Sequence, residues 1–399
     1  MSNKAAPNLN PQQAKAVRKI DGPMLVLAGA GSGKTRVITE KIAHLIGPCG
    51  IAPNRIAAVT FTNKAAAEMK SRVKKLLDGT NTRGLRISTF HRLGLNILHK
   101  ECKHLDYQPG FSVFAGDDCT SVLQELLRTH GDRGVEKAER FHWQISSWKN
   151  DGILPEQALA MASDDQHLRM ARIYASYQRQ LHAYNAFDLD DLILQTVRLF
   201  QQHEEVLQKW RNRIHYMLVD EYQDTNAMQY ELVKMLAGTR QCLTVVGDDD
   251  QSIYAWRGAQ PENLVQLGKD FPRLEIVKLE QNYRSAGRIL KVANELIRQN
   301  PHVYEKSLWS DLGYGDEIRV IQCNSAEDEG EQVAVQLQSH KLQHQNRYRD
   351  YAILYRGNFQ ARVFEGYLRQ MNIPYVVSGG ISFFERSEIR DVIAYLRLL

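Results

Sequence analysis

A glycine-rich segment near the amino terminus carries residue types that bind phosphate. It reads Ala28-Gly29-Ala30-Gly31-Ser32-Gly33-Lys34-Thr35, after an apolar run and before a helical pattern. Glycines let backbone N–H groups turn toward phosphate oxygens, and the helix N-terminus adds its dipole. Lys34 would reach the β- and γ-phosphates, and the Thr35 hydroxyl would ligate Mg²⁺. The segment predicts a nucleotide site of the Walker A type, although the strict pattern has glycine at position 28.

A second chemical feature is an acid pair at the end of a predicted strand. The apolar run 216–219 is followed directly by Asp220 and Glu221. Asp220 is placed to hold the water shell of Mg²⁺, and Glu221 to orient and deprotonate an attacking water. Such a pair is also typical of a solvated turn. Together with the phosphate loop, it indicates nucleotide hydrolysis.

The elements that must position these residues alternate between strands and helices. Apolar runs predict strands at 23–28, 55–61, 85–90, 216–219, 243–246 and 274–277. The helical patterns 35–45 and 63–77 lie between the first three of them. This alternation is typical of parallel strands joined by crossover helices, and it predicts an α/β fold.

Two other stretches depart from that alternation. Between 91 and 199 amphipathic helical spacing dominates, which predicts a helical insertion. Further on, strands at 317–321 and 351–355 around a helix at 327–340 predict a second α/β unit. The sequence stops at Leu399 inside an amphipathic helical pattern, so we expect a truncated protein.

The charge is distributed unevenly along the chain. The 399 residues carry 51 Lys and Arg and 46 Asp and Glu, for a net charge of +5. Residues 1–100 hold 17 basic and 4 acidic side chains, or +13, and the remainder holds −8. A basic first quarter favours a polyanionic partner, either nucleotide or nucleic acid. The alternative is a set of solvated helix faces, such as the one that carries Lys70 to Lys75.

Composition also excludes several classes of protein. No apolar run approaches the roughly 18–20 residues of a membrane helix, and residues 1–9 lack the apolar core of a signal peptide. Five scattered cysteines form no C-x-x-C pair, which argues against a zinc or iron–sulfur site and fits buried thiols. These features predict a cytoplasmic protein with no membrane partner.

Several segments together carry a family resemblance. They are Leu9-Asn10-Pro11-Gln12-Gln13, Thr60 to Ala66 (TFTNKAA), Ser88-Thr89-Phe90-His91, Asp220 to Asn226 (DEYQDTN), Val246 to Gly258 (VGDDDQSIYAWRG) and Gln281 to Ser285 (QNYRS). Because it contains all of these segments, the sequence resembles superfamily-one DNA helicases of the UvrD/PcrA/Rep group. The segments correspond to the family's Q motif and motifs Ia, T-x-H, II, III and IV, and the resemblance covers essentially the whole chain.

The resemblance implies roles around ATP. Gln13 would read the adenine edge, Tyr283 would stack on the base, and Arg36 would flank it. Arg284 would contact the γ-phosphate, where its charge stabilises the phosphoryl-transfer transition state. Gln251 would sense the γ-phosphate. The predicted ATP-binding residues are therefore Gln13, Ala28, Gly29, Ala30, Gly31, Ser32, Gly33, Lys34, Thr35, Arg36, Tyr283 and Arg284; the catalytic ones are Lys34, Glu221, Gln251 and Arg284; and Thr35 and Asp220 hold Mg²⁺.

The same resemblance implies a channel for single-stranded DNA. Aromatic side chains grip bases through their π faces without reading sequence. Tyr254, Trp256 and Arg257 in motif III would form one part of the channel, and Phe61 and His91 another. A place in the hydrophobic core is the ordinary alternative for each aromatic ring. The predicted DNA-binding residues are Phe61, Asn63, His91, Tyr254, Trp256 and Arg257.

Two departures from the family pattern stand out. The family's D-F-D-D segment appears here as Asp188-Leu189-Asp190-Asp191, with Phe187 one position before it. Motifs V and VI, which follow an inserted domain in the family, are not found after Gly380. We therefore expect weak or absent strand separation by this 399-residue chain, whereas the parent protein would be a helicase. Processive unwinding by the 399-residue chain would contradict that expectation.

The predicted organisation follows the family. Two RecA-like P-loop lobes with parallel sheets are expected, the second one incomplete. The ranges are 1–90 and 191–278 for the two parts of the first lobe, 91–190 for a helical insertion, 279–378 for the first half of the second lobe, and 379–399 for the start of an inserted helical domain.

The predicted function is that of an ATP-dependent 3′→5′ DNA translocase and helicase. ATP and Mg²⁺ are its cofactors. Single-stranded DNA and duplex junctions are its substrates, and replication or repair proteins are unidentified partners. Two alternatives stay open: a DNA-stimulated ATPase that displaces proteins without unwinding, and a DNA-binding module without enzymatic activity. A nuclease has no support, because no acid cluster with the required lysine appears beyond these motifs.

Overall fold

The computed structural model describes residues 9–129, 135–300, 302–378 and 387–396. The chain divides into two compact units, Met1–Asp316 and Glu317–Leu399. In the described part of the chain, no helix combines the length and the apolar character needed to cross a membrane.

The first unit is built on a six-stranded parallel sheet with the strand order β3-β2-β6-β7-β1-β8. Its strands are β1 (Met24–Ala28), β2 (Ile56–Thr60), β3 (Arg86–Thr89), β6 (Tyr216–Val219), β7 (Leu243–Gly247) and β8 (Glu275–Leu279). All six predicted strands are confirmed, and so is the α/β fold with a parallel sheet.

The helices of the first unit cover the sheet and form a side domain. They are α1 (Pro11–Arg18), α2 (Lys34–Ile46), α3 (Asn63–Leu77), α4 (Phe90–Glu101), α5 (Gly116–Thr129), α6 (Val135–Asn150), α7 (Pro155–Ala160), α8 (Asp165–Ala183), α9 (Asp191–Gln202), α10 (Glu204–Arg211), α11 (Ala227–Ala237), α12 (Asn263–Asp270) and α13 (Gly287–Ile297).

Strand β1 shows why the sheet needs helices on both faces. Successive side chains of a strand point to opposite faces, so an apolar run with no polar alternation requires two apolar surroundings. Leu25 and Leu27 pack into one hydrophobic core, whereas Met24, Val26 and Ala28 pack into a second one. The central strands β1, β2, β6 and β7 are therefore buried along their whole length, whereas the edge strands β3 and β8 are partly exposed.

The residues predicted to bind and hydrolyse nucleotide lie just beyond the carboxyl ends of the strands. Because the sheet is parallel, the carboxyl ends of β1, β6 and β7 open at the same edge, where ligands of α/β sheets bind. The glycine loop follows β1, Asp220 follows β6 and Asp248 follows β7. The topology thus brings together segments that are nearly 200 residues apart in sequence.

The stretch 91–199 is mainly helical, as predicted, but it also contains two short strands. These are β4 (Ser112–Phe114) and β5 (Ala186–Asp188), which pair in parallel as a separate sheet. Helices α5 to α8 supply most of a third hydrophobic core. A strand of three residues is too short to show a recognisable alternating pattern, so neither of these strands could be predicted from the sequence.

The D-L-D-D segment is part of a buried ion cluster. The fully buried Lys149 ammonium lies 2.7 Å from Asp188 Oδ2 and 3.0 Å from Asp191 Oδ2. Burial disfavours the ammonium, but the two carboxylates outweigh this effect and raise the pKa of Lys149. Phe187 is buried and stacks on Tyr107 at 4.0 Å between ring centroids, so it is a core residue.

The second unit contains α14 (Ala326–His344), α15 (Ala361–Gln370) and α16 (Ser387–Leu396). Helix α14 confirms the predicted helix at 327–340, and α16 confirms the amphipathic helical pattern near the end of the sequence. Ala334, Leu368 and Ile373 form a small buried cluster between α14, α15 and the segment that follows.

The prediction of strands at 317–321 and 351–355 is wrong. Neither segment pairs into a ladder with any residue that the structure describes. Val320 is 94% exposed and Leu354 is 93% exposed. A strand is stabilised by the backbone hydrogen bonds of a neighbouring strand. An alternating pattern can therefore predict an extended segment, but it cannot supply the neighbour.

Candidate active site

The glycine loop joins β1 to α2 through two left-handed residues. Gly31 has φ = +69° and Gly33, which precedes the first residue of α2, has φ = +92°. Only glycine adopts such angles without a steric penalty. A Cβ atom at Gly31 would also lie 2.6 Å from Asn282 Nδ2. The loop can therefore present its backbone and the N-terminus of α2 to an anion.

Three predicted catalytic side chains meet at the loop. Lys34 Nζ donates to Glu221 Oε2 at 2.9 Å and to Gln251 Oε1 at 3.2 Å. Glu221 has φ = +50°, which is unusual for a residue with a side chain and common at functional sites. The ammonium thus connects the segment after β6 with the segment after β7.

Asp220 is a buried carboxyl group of the kind that can ligate magnesium. Asp220 is 5% exposed and directly follows β6. Burial, followed by the neighbouring Glu221 carboxylate, raises the pKa of Asp220 to about 7. A divalent cation would compensate this buried acid, and carboxylate and hydroxyl oxygens are ligands that Mg²⁺ prefers. Thr35 offers such a hydroxyl in the first turn of α2.

The segment 281–285 lies directly on the glycine loop. Asn282 Nδ2 donates to the Ala30 carbonyl at 2.5 Å, and the Tyr283 N–H donates to the Gly31 carbonyl at 2.9 Å. Asn282 Oδ1 accepts from the Arg284 N–H at 2.8 Å. The structure therefore places Arg284 beside the phosphate loop, with its side chain exposed and within the same compact unit.

Asn10 links Gln13 and Tyr283, two of the residues predicted to bind the adenine base. The buried Gln13 donates through Nε2 to the Ser32 carbonyl at 2.9 Å. It also accepts from the Asn10 N–H in a capping box at the start of α1. Asn10 Nδ2 donates to the Tyr283 hydroxyl at 2.9 Å. Arg36 is half-buried in the first turn of α2.

Helix α1 is held in place by a buried lysine of α2. Lys41 Nζ donates to the Ala16 carbonyl at 2.8 Å and to the Lys19 carbonyl at 2.5 Å. Burial and the nearby Lys19 ammonium lower the pKa of Lys41 to about 7. These bonds satisfy carbonyls at the C-terminal end of α1 and fix the helix that carries Gln13.

The predicted DNA-facing residues follow the same edge of the sheet. Tyr254 and Trp256 lie beyond β7, are 41% and 59% exposed, and have ring centroids 6.4 Å apart. Phe61 follows β2 and packs on Phe90 at 5.6 Å. Burial lowers the pKa of the half-buried His91, which favours a neutral imidazole.

Asn63 and Arg257 are the two remaining predicted DNA contacts. Asn63 is exposed at the start of α3. The Arg257 side chain lies outside the described residues.

Sequence reasoning missed three polar residues that organise this site: Asn282, Gln223 and Lys306. Gln223 Nε2 donates to Glu221 Oε2 at 3.0 Å, and Lys306 lies among the acids after β7. Asn282 lies in the family segment Gln281 to Ser285, and Gln223 lies in the segment Asp220 to Asn226. The sequence therefore locates both residues but does not indicate a role for either. For Lys306 nothing in the local sequence gave a signal.

A glycine loop after β1, an acid pair after β6 and the strand order of the sheet define a RecA-like P-loop nucleotide-binding lobe. The family comparison is more specific. The UvrD/REP helicase N-terminal domain matches residues 9–272, and the UvrD-like helicase C-terminal domain matches residues 277–399. The chain belongs to the UvrD/REP helicase family.

Individual relatives agree with this assignment. The ATP-dependent DNA helicase Rep of Escherichia coli (strain K12) is 55% identical over 391 residues, which are 98% of this chain and 58% of that protein. Rep of Buchnera aphidicola subsp. Acyrthosiphon pisum is 45% identical, with 98% and 61% covered. PcrA of Staphylococcus aureus (strain Mu50) is 41% identical, with 98% and 54% covered. The chain thus spans less than two thirds of these relatives.

Proposed function

We propose that the protein is an ATP-dependent DNA motor that moves 3′→5′ along single-stranded DNA and unwinds duplexes. The observation that carries the proposal is the junction of Lys34, Glu221 and Gln251 at the glycine loop. It joins a phosphate-binding lysine to an acid that can serve as base and to the segment that leads into Tyr254 and Trp256. The names of the relatives, ATP-dependent DNA helicases, support the same function.

Hydrolysis follows from the contacts of Lys34. The phosphates of ATP compete with Glu221 for the Lys34 ammonium, since both are anionic partners within reach of one side chain. Once released, Glu221 is free to accept a proton from the attacking water. Arg284 adds positive charge from the segment that lies on the loop. Thr35 and Asp220 would hold Mg²⁺, which supplies charge neutralisation at the phosphates.

Coupling to DNA follows from the short path beyond Gln251. Only Ser252 and Ile253 separate Gln251 from Tyr254, so a shift of the Gln251 amide with the phosphates is transmitted to exposed aromatic rings. Alternating tight and loose grip on bases during each ATP cycle would produce movement. Duplex junctions are the proposed substrates, in cytoplasmic replication or repair with protein partners that remain to be identified.

The direction of movement is tested on biotinylated oligonucleotides blocked with streptavidin. A 3′→5′ motor displaces streptavidin from the 5′ end when ATP is added, and leaves a 3′-end block in place. Displacement from the 3′ end would contradict the proposed polarity. ATP turnover without displacement from either end would favour a DNA-stimulated ATPase that does not translocate.

Trp256→Ala is expected to weaken binding of single-stranded DNA. Loss of one stacking platform costs about 1–3 kcal/mol per base, which corresponds to a Kd roughly 5- to 150-fold higher. Fluorescence anisotropy with a labelled oligonucleotide measures this change. Trp143→Ala is a matched control, because Trp143 on α6 is 61% exposed and Trp256 is 59% exposed. Equal Kd values for the two variants would place the DNA elsewhere.

A further inference from the structure

Lys306 is a buried cation outside every motif described above. Its side chain is 5% exposed and contacts three consecutive carboxylates. Its Nζ lies 2.6 Å from Asp248 Oδ1 and 2.9 Å from Asp250 Oδ2, and it also donates to Asp249 Oδ1. Burial opposes the charge, but the three carboxylates raise the pKa of Lys306 above its usual range. The ammonium therefore fills the acidic cluster after β7.

The backbone around Lys306 reinforces the same contact. Asp249 Oδ2 accepts from the N–H groups of Val303 and Tyr304, both at 3.2 Å. His302 Nδ1 lies 3.1 Å from Asp250 Oδ1. These bonds fix the segment 302–306 against the start of motif III. The cluster therefore holds the segment 302–306 against the three consecutive acids Asp248, Asp249 and Asp250.

Asp248 connects the Lys306 cluster to the predicted catalytic groups. One carboxylate oxygen contacts Lys306, and the other accepts from Gln251 Nε2. Gln251 Oε1 in turn accepts from Lys34 Nζ at 3.2 Å. Because the Asp248 carboxylate is shared between Lys306 and Gln251, its position determines where the Gln251 amide points.

The Asp248 backbone makes a second connection. Its N–H donates to Gln223 Oε1 at 2.9 Å, and Gln223 Nε2 donates to Glu221 Oε2 at 3.0 Å. Asp248 is therefore the branch point of two hydrogen-bonded routes. One ends at the phosphate-binding Lys34 and the other at the acid Glu221.

The residues after Lys306 extend along the glycine loop. A Cβ atom at Gly29 would lie 2.3 Å from Leu308 Cδ2, so Leu308 packs directly against that glycine. The Trp309 carbonyl accepts from the Asn282 N–H at 2.7 Å. One short segment thus touches motif III, the phosphate loop and motif IV.

We propose that Lys306 is a positioning residue for ATP hydrolysis, which holds Asp248 so that Gln251 and Gln223 orient Lys34 and Glu221. This inference rests on the proposed function, since it concerns the same hydrolytic step. The ion pairs of the Lys306 ammonium are with Asp248, Asp249 and Asp250, so it is separated from Lys34 and Glu221 by the Asp248 and glutamine side chains. Its effect is exerted through the two glutamine side chains that Asp248 orients.

Lys306→Met is expected to lower kcat for ATP hydrolysis roughly ten- to hundredfold, because small displacements of catalytic groups have effects of this size. The KM for ATP should change less than threefold. Steady-state turnover in the presence of single-stranded DNA measures both constants. The matched control is Lys278→Met, since the exposed Lys278 binds the Glu305 carbonyl at 2.6 Å without reaching Asp248. Its kcat should equal that of the wild type.

Loss of the ammonium leaves three carboxylates together, so Lys306→Met will also lower the melting temperature. The triple variant Lys306→Met, Asp249→Asn, Asp250→Asn removes that repulsion and keeps Asp248. Its melting temperature should recover, while its kcat should stay low. Recovery of kcat together with the melting temperature would reduce Lys306 to a structural role and overturn the proposal.

A double-mutant cycle with Gln251→Ala tests the route through motif III. If Lys306 acts through Gln251, the two losses in kcat will not multiply. Multiplicative losses, or a wild-type kcat in Lys306→Met, would overturn the inference while leaving the proposed motor function intact. Failure of the proposed function is separate: the wild-type protein would then hydrolyse no ATP.

Discussion

Glu221→Gln is expected to lower the rate of ATP hydrolysis by roughly 10²- to 10⁴-fold, the usual contribution of a general base. The carboxylate is held 2.9 Å from the Lys34 ammonium and 3.0 Å from Gln223 Nε2, so its place in the site is fixed from two sides. Glutamine keeps the shape and one acceptor oxygen but cannot take a proton. Nucleotide affinity should therefore persist while hydrolysis is lost.

Single-turnover hydrolysis and binding of a fluorescent ATP analogue separate these effects. Glu68→Gln is a matched control, because Glu68 pairs with Arg72 on the exposed face of α3. A Glu221→Gln variant that retained more than a tenth of wild-type hydrolysis would point to another base. Asp224 is the obvious candidate, since burial and the Glu221 carboxylate raise its pKa to about 6.

Arg284→Ala is expected to lower hydrolysis by about 10³-fold or more, the range found for arginines that stabilise phosphoryl transfer. Asn282 and Tyr283 bind the Ala30 and Gly31 carbonyls, so the backbone that carries Arg284 is held directly at the glycine loop. The charge of Arg284 matters most in the transition state. The rate should therefore fall much further than the affinity for ATP.

The same pair of measurements checks this second expectation. Arg298→Ala is the matched control, since Arg298 is an exposed residue near the end of α13 that pairs with Glu295. Arg284→Lys should recover little activity, because an ammonium cannot reproduce the planar fork of a guanidinium. Hydrolysis by Arg284→Ala within threefold of the wild type would remove Arg284 from the reaction.

The local parts of this site could be predicted from sequence because local chemistry determines them. The turn at Gly31 and Gly33 requires glycine, and the flanking strand and helix follow from apolar periodicity. Asp220 and Glu221 are recognisable because they directly follow an apolar run. Each of these features depends on neighbours within about ten residues along the chain.

The remaining parts depend on contacts between distant segments. Lys306 meets Asp248 across 57 intervening positions, and no spacing rule connects them. Phe187 and Leu189 show the same limit. The aromatic ring is buried in the core, whereas Leu189 is 45% exposed, a difference that hydrophobicity alone does not predict. Hydrophobic periodicity identifies the apolar face of a helix or strand. Tertiary packing determines which other residues that face contacts.

The most direct measurement is the rate of ATP hydrolysis by this chain with and without single-stranded DNA. A motor that couples the Lys34 and Glu221 junction to Tyr254 and Trp256 must hydrolyse ATP faster when DNA is bound. The stimulation should weaken as salt rises, because phosphate contacts release counterions, and Lys34→Ala should abolish turnover. A rate that single-stranded DNA leaves unchanged, or turnover that survives Lys34→Ala, would contradict a DNA motor at this site.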